Sequence, residues 1–449
     1  MKNNFDFIVC DRRQNMYWDP SNETMPREKI LAMQDERLVD TVKRVYQNVP
    51  FYRHKMQEMG LRPSDIKGVR DLHKLPFTNK TDLRDNYPFG LFAAPTEQIA
   101  RIHASSGTTG KPTVAGYTAR DLDNWSEMMA RALTCAGVTK SSIVQVSYGY
   151  GLFTGGLGAH MGAERVGATV IPMSGGNTKR QIMLMEDFGA TTLCCTPTYA
   201  IVLGEAIRAA GIDLSRLKLR SGVFGAEPWT EGMRAHVQGL LNIHAHDVYG
   251  LSEVMGPGVS IECEELAGMH VWEDHFIPEI IDPDTLEQLP HGTRGEICFT
   301  TITKEGMPLI RYRTHDLTVL DDTPCPCGRT HIRMKKLTGR TDDMLIIRGV
   351  NVFPSQVETA LTGIDGIDPQ YLLIVDLVGS LDTLAIEVEM SPTLAFDSVR
   401  SIEALRKKVD SAVSSMLGIS AEIKLMPFGS IPRGEGKTVR TKDLRQNIH

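Results

Sequence analysis

Between Ser142 and Gly250 the chain alternates, at short intervals, apolar runs of strand type with amphipathic stretches of helical period. That alternation restricts it to an α/β fold. SIVQVSY, ATVIPM, TTLCCT, LRSGVFGA and HAHDVYG read as strands, with DLDNWSEMMARALTCAG and NTKRQIMLMEDFG as helices among them. Upstream, REKILAMQDERLVDTVKRVYQNV spaces apolar residues by three and four, which predicts helix over about 27–59. From about 278 to 334 the short β-rich segments PEIIDP, GEICFTTI and DLTVLDD predict a smaller sheet or distorted barrel beside those layers. The tail carries LLIVDLV, TLAIEVEM, the helix SIEALRKKVDSAVSSMLG and AEIKLMPFG in βαβ-like order, enough for a domain of its own. The expectation is a body over 1–338 of α/β layers with a β-rich subdomain, followed by a small mobile α+β domain over 339–449.

Charge narrows the function. With 49 basic and 55 acidic residues the net charge is −6, which leaves no electrostatic footprint for nucleic acid or an anionic membrane. No run approaches the roughly 18 apolar residues of a membrane span, and MKNNFDFIVCDRR lacks the apolar core of a signal peptide, so a cytoplasmic location is expected. Eight cysteines in 449 residues do not make a disulfide scaffold.

The segment HASSGTTGKPT, His103 to Thr113, has the ingredients of an oxyanion cradle. Small residues let backbone N–H groups approach phosphate, hydroxyls add donors, and Lys111 adds charge. It is not a Walker loop, because only Thr108 and Thr109 separate Gly107 from Gly110 and Pro112 follows the lysine. Proline keeps Lys111 from helical dihedrals, so the loop should run into the strand TVAGYT.

Further constellations admit two readings each. In DVYGLSE, Glu253 suits Mg²⁺ or a solvated surface. In IRYRTHDL, Asp316 lies near two arginines, as a ribose acceptor or a structural ion pair. GRTDDMLIIRGVNVFP sits at the expected boundary, with Asp342 as hinge or ordinary linker. SIPRGEGKTVR carries Lys437 on a shaped loop, catalytic or merely exposed. SYGYGLFTGG offers Tyr148 and Phe153 to flank a planar ring, or a core aromatic pair. Cys325 and Cys327 of CPCG, with Cys263 and His270, would close a tetrahedral structural Zn²⁺ site, against reduced thiols; His275 competes with His270.

Taken in order, SSGTTGKPT, FGAEPW, DVYGLSE, RYRTHDL, GRTDDMLIIRGVNVFP and SIPRGEGKTVR resemble the core motifs of the adenylate-forming enzymes, the acyl-CoA synthetase superfamily. Within it, LPFTNKTDLRDNYPFG, SYGYGLFTGGLGAHMGAERVGATVIP and WEDHFIPEIIDP resemble the phenylacetate-CoA ligase family. The resemblance implies that ATP and an aryl acid give an acyl-adenylate and pyrophosphate, and coenzyme A then gives the thioester and AMP. It implies that Ser105, Ser106, Gly107, Thr108, Thr109, Gly110 and Lys111 grip the β- and γ-phosphates, and that Thr109 and Glu253 neighbour Mg²⁺. Ala226, Glu227 and Tyr249 would line the adenine, Asp316 would take the ribose with Arg340 nearby, and Lys80 would reach the phosphates. Gly225, Asp247, Gly250 and Ser252 fall in the same motifs. Lys437 would bridge carboxylate and α-phosphate in the first step and leave it when the small domain turns about Asp342, bringing the face near Gly349 to the thiol. A homodimer with small-molecule partners is expected. The rivals are an adenylyltransferase acting on a non-CoA acceptor such as a deazaflavin cofactor, an adenylation domain that loads a carrier protein, and a nucleotide-sensing protein without catalysis.

Overall fold

Proline divides the long N-terminal helical pattern in two. Helices span Arg27–Asn48 and Pro50–Glu58, because Pro50 has no N–H to donate and holds Val49 extended at φ −116°, ψ 104°. The helical pattern expected over 27–59 is therefore carried by two helices. Ile30, Leu38, Val42 and Val45 form the buried stripe of the first. The computed structural model describes residues 17–105, 112–341, 345–348, 350–378, 381–392, 399–432 and 439–445.

A parallel sheet forms the centre of the body. Thr169–Ile171, Ile143–Val146, Thr192–Cys195, Ser221–Gly225 and His244–Leu251 lie side by side in that order, all parallel. Beyond His244–Leu251 the sheet turns antiparallel through Gly256–Glu262, Met269–Val271, Arg333–Met334, Tyr312–Asp321, Arg294–Thr301 and Phe276–Ile281. The β-rich segment thus joins the main sheet instead of standing apart, through the two-residue bridge at Arg333–Met334. Tyr312–Asp321 accounts for this, because it pairs with Arg294–Thr301 along most of its length and with Arg333–Met334 at its end.

The expected strand after the glycine-rich loop is Thr113–Thr118, antiparallel to Ile99–Ser105, with Ser105 opposite Thr113 at the open end. Thr118 then caps the helix Ala119–Cys135, accepting from the Asp121 N–H at 3.1 Å while Asp121 accepts from the Thr118 N–H at 2.9 Å. Trp125 from this helix is fully buried in the largest core cluster.

In the tail, Ile367–Val378 and Leu381–Met390 pair antiparallel. Glu422–Met426 joins the second and Thr441–Asp443 the first, both parallel. Ile347, Val357, Leu373, Ile386, Val409 and Val413 close a core separate from that of the body. Among the described residues no helix is long and apolar enough to cross a membrane.

Candidate active site

The C-terminal ends of the parallel strands gather most of the residues singled out above. Ser221–Gly225 and His244–Leu251 are hydrogen-bonded neighbours running the same way, with Gly225 opposite Val248, so Ala226 and Glu227 leave the sheet at the same edge as Ser252 and Glu253. Two glycines permit this. A Cβ on Gly225 would stand 2.1 Å from the Val248 carbonyl oxygen, and one on Gly250, at the bulge after Tyr249, 1.7 Å from the Gly256 oxygen. Ala226 follows with φ +72°, a left-handed conformation that side chains rarely adopt. The Glu227 carboxylate accepts from the Thr198 N–H at 2.7 Å.

Asp316 is held from two directions. Tyr249 donates its hydroxyl to one carboxylate oxygen at 2.6 Å, and Arg340 donates to the other at 2.6 Å. Arg340 reaches it because Gly339–Arg340 pairs with Asp316–Leu317. The two arginines beside Asp316 in sequence point elsewhere, Arg311 to Glu279 at 3.1 Å and Arg313 to Glu296 at 2.6 Å. Their expected proximity to Asp316 is corrected accordingly, since alternation along the strand puts Tyr312, Thr314 and Asp316 on the buried face. Thr341 then donates to the His315 carbonyl at 2.7 Å, fixing the chain up to the residue before Asp342.

Glu253 is buried and accepts from the Tyr312 hydroxyl at 2.6 Å. Ser252 pairs with Thr154 at 3.1 Å between hydroxyls. Asp247 is also buried: burial, followed by the nearby Glu262 carboxylate, pushes its pKa up to about 7. Lys80 opens the short helix Lys80–Asp85, just after Thr78, whose backbone bridges Arg311 and Arg313 on either side of Tyr312. Tyr312, Tyr117 and Lys304 escaped the sequence reading. Tyr312 shares the period-two face of Asp316, a signal that was there to use.

At the mouth of the glycine-rich loop the Ser105 hydroxyl, the Thr113 hydroxyl and Nε2 of His103 are buried without a partner among the described residues. A buried polar group left unpaired calls for a partner such as water, an ion or a ligand. His103 Nδ1 and the Ala104 N–H both meet the Leu152 carbonyl, at 3.0 Å each, tying this strand to the turn before Phe153. Phe153 precedes the helix Thr154–Val166 and is 52% exposed, whereas Tyr148 is buried with its hydroxyl 3.4 Å from the Val223 carbonyl. The structure brings Tyr148, not Phe153, into the interior. Residues 106–111, Asp342, Gly349 and Lys437 lie outside the described residues. Arg440, three residues after Lys437, lines a crevice between tail and body with Thr198, Glu205, Met233, Asp368 and Gln370.

A second cluster lies away from this edge. One donor atom each from Cys263, His270, Cys325 and Cys327 comes within 4.8 Å of all the others, and all four residues are buried. The Cys263 and Cys325 sulfurs are 3.8 Å apart, and the Cys327 sulfur is 3.3 Å from His270 Nε2. Tetrahedral Zn²⁺ would set such pairs about 3.8 and 3.5 Å apart, whereas a disulfide needs about 2 Å. His270 Nδ1 faces the His331 carbonyl at 3.2 Å, which leaves Nε2 for a metal. His275 is engaged by Thr303 at 2.8 Å and Asp274 at 3.3 Å, so His270 is the imidazole of the cluster.

Comparison with known proteins completes the site. The model of the AMP-binding enzyme family matches residues 29–303, and that of the AMP-binding enzyme C-terminal domain residues 349–445. A phenylacetate-coenzyme A ligase of Thermus thermophilus is 50% identical over 96% of this chain and 100% of its own. Its Escherichia coli counterpart is 51% identical over 95% and 97%. A solved 2-hydroxyisobutyryl-CoA ligase in the postadenylation state, with an acyl-AMP, superposes at TM-score 0.90 and 28% identity, covering 100% of this chain and 95% of that one. The same ligase with CoA in the thioesterification state gives 0.72 at 29% identity, covering 99% and 95%. With both halves of the enzyme matched and half of its residues shared along nearly the whole length, this chain belongs to the phenylacetate-CoA ligase family of AMP-binding enzymes.

Proposed function

We infer that this protein is an AMP-forming acid-CoA ligase whose preferred substrate is phenylacetate or a close aryl acid. The observation that carries the reading is near-full-length identity of about one half to ligases of that name. Chemistry explains why two steps are needed. A carboxylate oxygen is a poor leaving group, so it first attacks the α-phosphorus of ATP and pyrophosphate departs. The thiol of coenzyme A then attacks the acyl carbon, and AMP leaves with that oxygen.

The first step brings two anions together, and preorganised donors must offset their repulsion. We assign that work to Ser105 through Lys111, to Lys80 and to Lys437. The orphaned hydroxyls of Ser105 and Thr113 support a phosphate at the loop. Asp316, with Tyr249 and Arg340, is assigned to the ribose, and Ala226 and Glu227 to the adenine side. Tyr148 supports one wall of an acid pocket, with Phe153 at its exposed rim. Glu253 and Thr109 would hold Mg²⁺, which when bound neutralises phosphate charge.

The better superposition on the postadenylation state supports reading the described arrangement as the one that serves adenylation. The tail from residue 339 would then turn about Asp342 to admit the thiol. Cys263, His270, Cys325 and Cys327 would hold a structural Zn²⁺, since four protein donors leave no position for water. A cytoplasmic homodimer is the proposed assembly, checked by fractionation and light scattering. The reading is tested by AMP release from a panel of aryl acids with and without CoA. Phenylacetyl-CoA formed one-for-one with AMP upholds it; a product that keeps AMP, without need of CoA, overturns it.

A further inference from the structure

Beside the proposed nucleotide site lies a lysine that does not reach water. Lys304, just beyond the strand Arg294–Thr301, is 2% exposed. Lysine normally keeps its ammonium in solvent, so a buried one needs partners that offset its desolvation. Here Nζ donates to the backbone oxygen of Glu253 at 2.8 Å and stands 4.3 Å from the centre of the Tyr117 ring. Tyr117 stacks on Trp125, with ring centres 5.3 Å apart, and donates its hydroxyl to the Ser252 carbonyl at 2.5 Å. Consecutive carbonyls of one turn are thus each held by a different side chain. The Tyr312 hydroxyl fixes the Glu253 carboxylate itself. The lysine is anchored as well, because Asp121 accepts from the N–H groups of Glu305 at 2.6 Å and Gly306 at 2.8 Å.

We propose that Lys304 is a positioning residue for adenylation, fixing the Glu253 turn by hydrogen bond and charge so that its carboxylate meets the metal–nucleotide. The inference rests on reading Glu253 as a neighbour of Mg²⁺.

The test is acid-dependent ATP–pyrophosphate exchange against free Mg²⁺ at pH 7, in wild type, K304M, K304Q, E253Q and K304M/E253Q, with thermal unfolding of each. K304M is expected to raise half-saturating Mg²⁺ about tenfold at pH 7 and to move the KM of the acid by less than about twofold. K304Q keeps a donor without charge and should shift by about threefold; it carries the test if K304M does not fold. In the E253Q background K304M should add less than about twofold. Unchanged Mg²⁺ dependence in both Lys304 variants, or a full K304M penalty in the E253Q background, overturns the inference alone. Wild-type Mg²⁺ dependence in E253Q overturns the reading of Glu253 and the inference with it.

Discussion

The cysteine–histidine cluster and the proposed nucleotide site both collect ionisable groups in the interior, and they differ in what their atoms have left to give. Cys263, His270, Cys325 and Cys327 turn four donors toward one point. The segment that carries two of them grips residues 17–23: Arg329 pairs with Glu23 at 2.7 Å, both buried, and Tyr17 donates to the Cys327 carbonyl at 2.5 Å. At the nucleotide edge Glu253 and Asp316 are aimed by tyrosines, while hydroxyls near the glycine-rich loop remain unspent. A closed set of donors staples the fold; a set with unspent donors can receive a substrate. Stability and rate should therefore separate on mutation.

The largest effect is expected at the nucleotide edge. Lys437→Ala should slow acid-dependent ATP–pyrophosphate exchange by about a hundredfold or more, while thioester formation from supplied acyl-adenylate stays near wild type. Equal loss in both half-reactions would break the assignment. At the cluster the cost should fall on stability. Cys327→Ser should abolish stoichiometric zinc by elemental analysis and cost about 3 kcal/mol or more, lowering Tm by roughly 3–5 °C, with kcat below that temperature within about threefold. Hydrogen exchange should rise first over residues 17–25, which the Arg329–Glu23 pair holds. Zinc-free wild-type protein of undiminished Tm would contradict the staple. Smallest of the three, Tyr312→Phe removes one hydrogen bond to Glu253 and should lower kcat/KM for ATP by about fivefold, with the KM of the acid unmoved.

Much of this was legible in the sequence, for identifiable reasons. The α/β alternation and the strand after Lys111 follow from local rules, which the parallel strands and Thr113–Thr118 obey. Cys263, His270, Cys325 and Cys327 could be grouped from the sequence because cysteine and histidine are the usual zinc donors, and the pairing of Met269–Val271 with Arg333–Met334 is what brings His270 to the three cysteines. Long-range pairing stayed hidden. Sequence proximity put Arg311 and Arg313 beside Asp316, whereas the strand period turns them to Glu279 and Glu296 and a distant strand supplies Arg340. Lys304 was hidden for a related reason: no local pattern distinguishes a lysine that will reach solvent from one that will be enclosed.

The central claim is that the acid is activated by passing one of its own oxygens to the nucleotide. Phenylacetate labelled with heavy oxygen in its carboxylate, turned over with ATP and CoA, tests this by mass spectrometry of the AMP. The account predicts one labelled oxygen in each AMP phosphate and one in each thioester carbonyl; AMP free of label would contradict it.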